Sequence, residues 1–141
     1  MVFVAGCGLP AQAAVNALLA RGIGSPITAT AISFCVGATI LLGAAIVTRQ
    51  AMPTMAAVRE LPGYAWVAGG FLGAFFLFTA IFVTTRLSVA VVMSTAIAGQ
   101  LVAAILLDHF GLLGLAVREA SLGRILGVAV MVAGVVMIRL F

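Results

Sequence analysis

A chain of 141 residues that is 65% apolar and 7% charged, with a mean hydropathy of +1.38, has too little polar surface for a water-soluble fold, since soluble domains carry roughly a quarter charged residues. The formal charge of +4 comes from seven arginines, without a lysine, against two glutamates and one aspartate. The arginines stand singly at the ends of apolar runs, which is the pattern of interfacial anchors. This excludes a nucleic-acid-binding surface and leaves membrane lipid as the surroundings.

The runs predict an all-α integral membrane protein with five transmembrane helices, because each is about 20 residues long, enough to cross a hydrocarbon layer of ~30 Å. They lack the ten-residue alternation of membrane-barrel strands. The first helix is expected over 1–20, ending at Arg21-Gly22, with a kink where Pro10 removes a backbone donor. Met1 leads straight into it without a basic leader or a small-residue cleavage site, so this helix is expected to be retained rather than removed as a signal peptide. Cys7 and Cys35 fall within apolar runs and read as small buried hydrophobes rather than a disulfide or metal pair. The second helix is expected over 25–47, opened by Ser25 as a cap and Pro26 at the first helical position.

Residues 48–63 form the longest connection, with room for a short interfacial turn at Thr54 to Glu60. The third helix is expected over 64–84, with Tyr64 and Trp66 at the headgroup layer. A tight break at Arg86-Leu87-Ser88 leads to the fourth, over 88–107, which stops at Asp108-His109 before Gly111 and Gly114. The fifth is expected over 121–141. No separate soluble domain fits between these spans, so residues 1–141 read as a single transmembrane domain.

Few polar residues lie at membrane depth, where an amide is costly unless it finds partners. Gln12 and Asn16, four apart on one face of the first helix and just after Pro10, are the first candidates to line a solute cavity; hydrogen bonding that only holds the bundle is the alternative. Gln100, beside Gly99, is the third candidate. Ser33 joins them, whereas Thr28, Thr30, Ser94 and Thr95 can bond within their own helices. Asp108 and His109 are the one place where a carboxylate and an imidazole adjoin. They read either as a proton-coupling pair or as an interfacial helix terminus with Asp108 paired to Arg118 or Arg124. Gly69 and Gly73, and Gly123, Gly127 and Gly134, let helix backbones approach and so suit helix packing or dimerisation. One histidine, no paired carboxylates within a span, no metal-spaced cluster and no phosphate loop argue against an enzyme and imply neither a cofactor nor a metal.

With five spans, Arg49, Arg59, Arg118 and Arg124 fall on the amino-terminal side and Arg21, Arg86 and Arg139 on the other. That near-balance of basic residues barely selects an orientation. It fits insertion both ways and pairing of two copies as an antiparallel homodimer, an inverted repeat like those of many transporters.

Gly8-Leu9-Pro10-Ala11-Gln12 with Asn16, Gly24-Ser25-Pro26, Ser33-Phe34 with Gly37, Trp66 with Gly69-Gly70 and Gly73, Ala98-Gly99-Gln100, and Asp108-His109-Phe110-Gly111 together resemble the bacterial YdcZ-like family. The likeness covers nearly the whole chain. It implies a place in the bacterial inner membrane and in the drug/metabolite transporter superfamily, whose five-helix members are thought to work as antiparallel pairs, including dual-topology homodimers. Gly127 through Ile138 is more distantly similar to the last helix of small multidrug resistance proteins. Those proteins carry a carboxylate in the middle of the first helix, which this sequence lacks, so their proton-coupling mechanism does not transfer. The leading expectation is a small secondary-active transporter of an unidentified small organic solute, working by alternating access. The alternatives are a passive ion channel of dual-topology dimer type and a nonconducting membrane assembly subunit.

Overall fold

The computed structural model describes residues 1–51 and 53–141. Met52, in the long connection, lies outside the described residues, as does the side chain of Ala57. The protein is all-helical: α1 (Val2–Ile23), α2 (Pro26–Val47), a short α3 (Met55–Glu60), α4 (Gly63–Thr84), α5 (Val89–Phe110) and α6 (Leu122–Leu140). Five of these, all but α3, are long and apolar enough to cross a membrane. A helix of 22 residues, the length of α1, α2, α4 and α5, rises about 33 Å, a match to the hydrocarbon thickness.

Local chemistry explains the ends. Ser25 caps α2 by accepting the Thr28 backbone N–H at 3.2 Å, with Pro26 at the first helical position. Ser88 and Ser121 cap α5 and α6 in the same way, each satisfying one of the donors that a helix start leaves free. Two helices run further than expected. α1 passes through Arg21 and Gly22 and stops only at Gly24, whose φ of 71° is left-handed. There the backbone N–H groups of Gly24 and Ser25 both donate to the Ala20 carbonyl, closing the helix with a glycine. α5 likewise continues through Asp108 and His109 to Phe110 and ends on left-handed Gly111. α1 is helical across Pro10.

The chain divides into two compact units, Met1–Arg86 and Leu87–Phe141. In the first, α1, α2 and α4 all pack on one another. The buried core is Ala20, Ala29, Leu77 and Ile81, with Leu19 against it. Ala13, Ala17 and Ala80 are buried as well, and these small side chains bring the backbones close, as dense packing in lipid requires. The core lies where α1 ends, α2 begins and α4 ends. Cys7 and Cys35 are exposed on their helices. The reading of them as buried is therefore corrected: both sit away from this alanine-rich contact.

In the second unit α5 and α6 form a hairpin. The Asp108 carboxylate pairs with the Arg124 guanidinium, the Arg118 backbone N–H donates to the Asp108 carbonyl at 2.8 Å, and the Ala120 N–H donates to His109 Nδ1 at 3.2 Å. The segment between the helices is thus tied back to the last turn of α5. Gly111 is essential to this turn: at φ 58° an added Cβ would lie 2.6 Å from Val117 Cγ2 and 3.1 Å from the Leu115 carbonyl oxygen. We expect Gly111→Ala to destabilise the protein by about 1–3 kcal/mol through backbone strain and overpacking. Thermal unfolding in detergent checks this against Gly114→Ala, which has φ 79° but open space around it and should cost less.

Candidate solute-binding groove

The first unit is tightly packed at one end only, and in that sense is a wedge. Its buried residues occupy the second half of α1, the start of α2 and the end of α4, while the opposite halves of these helices are exposed or half-buried. Among the three helices lies a groove of about 390 Å³. α1 contributes Leu9 and Gln12, α2 contributes Ser33, Phe34, Gly37, Ala38 and Leu41, and α4 contributes Gly73, Phe76 and Leu77. Glycine at 37 and 73 makes the space. An added Cβ at Gly37 would meet nothing within 4 Å, and at Gly73 it would meet the Phe34 ring at 3.4 Å. Phe34 also lines a second hollow with Ile27, Thr30, Ala31, Ala74 and Phe78, in which the Thr30 hydroxyl is turned back to the Pro26 carbonyl of its own helix.

The polar residues singled out in the sequence divide into three situations. Gln12 is exposed into the groove at mid-helix. Asn16, one turn on, is 6% exposed and does not line the groove. Its amide Nδ2 donates to Ser33 Oγ at 3.1 Å, so it stands behind Ser33, and Ser33 in turn faces the groove beside Gln12. Gln100 is exposed on α5 in the second unit, whereas every residue lining this groove comes from the first. Among the hydroxyls, Thr30 donates to the Pro26 carbonyl, Thr39 to the Cys35 carbonyl and Thr95 to the Val91 carbonyl, the back-bonding expected of such residues in apolar helices. Ser33 differs in being bonded across to another helix.

Asp108 and His109 lie together in the last turn of α5. The Asp108 carboxylate is engaged by Arg124, and Arg118 reaches Asp108 only through its backbone. Trp66 is exposed in the first turn of α4. Of the five glycines read as packing positions, only Gly73 is against another element; Gly69, Gly123, Gly127 and Gly134 have nothing within 4 Å of an added Cβ. Sequence reasoning did not single out Phe76 or Leu41 as groove walls, and noted Phe34 and Gly37 only as parts of a motif. One signal was available: Ser33, Gly37 and Leu41 recur every four residues and so share a face of α2.

Residues 1–137 match the family described as "Putative inner membrane exporter, YdcZ". The chain belongs to that family, a class of transporters rather than enzymes, and is a multi-pass protein of the inner membrane. No curated protein and no solved structure matches it.

Proposed function

We propose that this inner-membrane exporter family member is one half of a secondary-active transporter. Two copies inserted in opposite orientations would move a small organic solute by alternating access, with the groove between α1, α2 and α4 as the solute site. The observation that carries this reading is the wedge itself. It is packed on Ala20, Ala29, Leu77 and Ile81 at one end and exposed at the other, with the Gln12 amide and Ser33 hydroxyl at the groove. An inverted second copy would present the same wedge facing the other way, as inverted repeats do in transporters. The near-equal division of arginines supports dual insertion. α6 supports pairing, since none of its residues is buried within the chain and its Gly123, Gly127 and Gly134 offer a close-approach surface to a partner helix. Gln100, exposed on α5 of the second unit, is a further candidate for contact with solute, separate from this groove. Asp108 is assigned to the structural ion pair with Arg124.

The test has two arms. Accessibility tags at both termini should reveal both orientations in the membrane; a single orientation in every molecule would refute the antiparallel pair. A broad solute screen by thermal shift of the purified protein should yield stabilising ligands, and these should show saturable exchange in proteoliposomes. Conductance without saturation would instead identify a channel. A protein with neither flux nor conductance, recovered with a larger complex, would be an assembly subunit.

A further inference from the structure

We infer that the groove selects an uncharged, aryl-bearing solute with a hydrogen-bond acceptor, such as a ketone oxygen, and that Ser33 is the donor which meets it, held in place by Asn16. This rests on the groove being the solute site proposed above.

The argument begins with what lines the groove. Its walls are the rings of Phe34 and Phe76 and aliphatic side chains, and the polar groups among its lining residues are Gln12 and Ser33. No lining residue carries a charge, so a charged solute would enter a largely apolar site without a counter-ion, which is strongly unfavourable. An aromatic body matches the walls, because sites for small molecules are mostly apolar with a few placed polar groups.

The polar recognition follows from hydrogen-bond directions. A serine hydroxyl has one donor and two acceptor positions. Asn16 Nδ2 occupies an acceptor position of Ser33 Oγ, and that bond leaves the hydroxyl hydrogen unused. Thr30 and Thr39, three residues before Ser33 and six after it, direct their hydrogens to their own helix's carbonyls; Ser33 instead has its oxygen fixed from α1. The hydrogen is therefore available to an acceptor in the groove, and the donation from Asn16 polarises the hydroxyl and strengthens it as a donor. Asn16 is a positioning residue: buried, out of the groove, and acting through Ser33.

The test uses the full-length protein in lipid nanodiscs and three probes of similar size: 2-acetonaphthone, 2-ethylnaphthalene and 2-naphthoate. Binding is measured by equilibrium dialysis, with empty nanodiscs subtracted. The ketone should bind about tenfold more tightly than the hydrocarbon, the value of one net hydrogen bond, and the carboxylate most weakly. In a Gln12→Leu background, which removes the other donor in the groove, Ser33→Ala should bring the ketone-to-hydrocarbon ratio to about one, and Ser33→Thr should keep it. Asn16→Leu should also lower the ratio although Ser33 remains. In wild type the carbonyl stretch of bound ketone should be shifted down in the infrared, and that shift should be lost in both Ser33→Ala and Asn16→Leu, a signature that loss of packing alone would not produce. A ratio unchanged by Ser33→Ala, or tightest binding of the carboxylate, would overturn the inference. Saturable exchange of a screened solute by a protein with no ketone preference would overturn this inference alone. A Ser33-dependent preference in a protein that exchanges no screened solute would overturn the transport reading alone.

Discussion

Gly73→Leu is expected to reduce solute exchange in proteoliposomes by at least about tenfold while leaving the protein folded, because the new side chain grows into the groove rather than into the core. A Cβ at this position would already lie 3.4 Å from Phe34 Cζ and 3.8 Å from Cε1, and because Gly73 lines the groove the branch carbons beyond it would extend into it. Phe34 is partly exposed, so its ring can give way without unpacking the bundle. The site then loses volume to leucine and to the displaced ring together. A tenfold loss corresponds to about 1.4 kcal/mol of binding, within the ~1–3 kcal/mol that forcing extra carbons into a packed space typically costs. Gly69→Leu, four residues earlier in α4 with open space around it, is the control and should retain exchange. If Gly73→Leu exchanged solute at the wild-type rate, the groove would not be the solute site. If it lowered the unfolding midpoint as much as a core substitution, Gly73 would be a packing residue.

The second large effect concerns the sealed end of the wedge. Ala29→Leu is expected to destabilise the protein by about 1–3 kcal/mol, and by more if the three helices separate to accommodate it. Ala29 is 0% exposed and packs in one cluster with Ala20, Leu77 and Ile81. Ile81, also 0% exposed, leaves no free volume beside it. In lipid, helix association depends on close van der Waals packing rather than on expulsion of water, so spreading the backbones forfeits the contacts that hold this unit together. The measurement is the thermal unfolding midpoint in detergent. Ala44→Leu is the reference: it lies near the other end of α2, is exposed and should be close to neutral. A neutral Ala29→Leu would mean that the alanine contact is loose and that the wedge has no fixed hinge end.

How much of this was legible in the sequence differs with the range of the interaction involved. The Ser25-Pro26 start of α2 was readable because a cap and its proline act within one turn. The end of α1 was placed too early, at Arg21-Gly22, because a glycine stops a helix only where the chain turns left-handed. That residue is Gly24, and Gly22 is ordinary helix. Gln12 and Asn16 were rightly placed on one face of α1, yet spacing within a helix does not say which of two residues one turn apart meets a neighbour. Their separate situations depend on Ser33, seventeen residues away from Asn16 on α2. The cysteines show the same limit: an apolar setting in sequence suggested burial, but both thiols lie on the outer surface of their helices.

By itself the sequence determined the five membrane-crossing helices, the Ser25 cap of the second and the membrane as solvent. In hydrocarbon every backbone polar group must be satisfied within its own segment, and a 20-residue apolar run has only the helix open to it. The tertiary structure alone decided where the wedge is sealed and which polar residues face the groove. It also decided which glycines touch a neighbour. The physical reason is that α2 and α4 are apolar nearly all round and α1 carries only the short Gln12–Asn16 face, so little in the sequence records the rotation of these helices about their own axes. That rotation is set by which alanines meet, and it places Ser33 in front of Asn16 with its hydroxyl toward the groove.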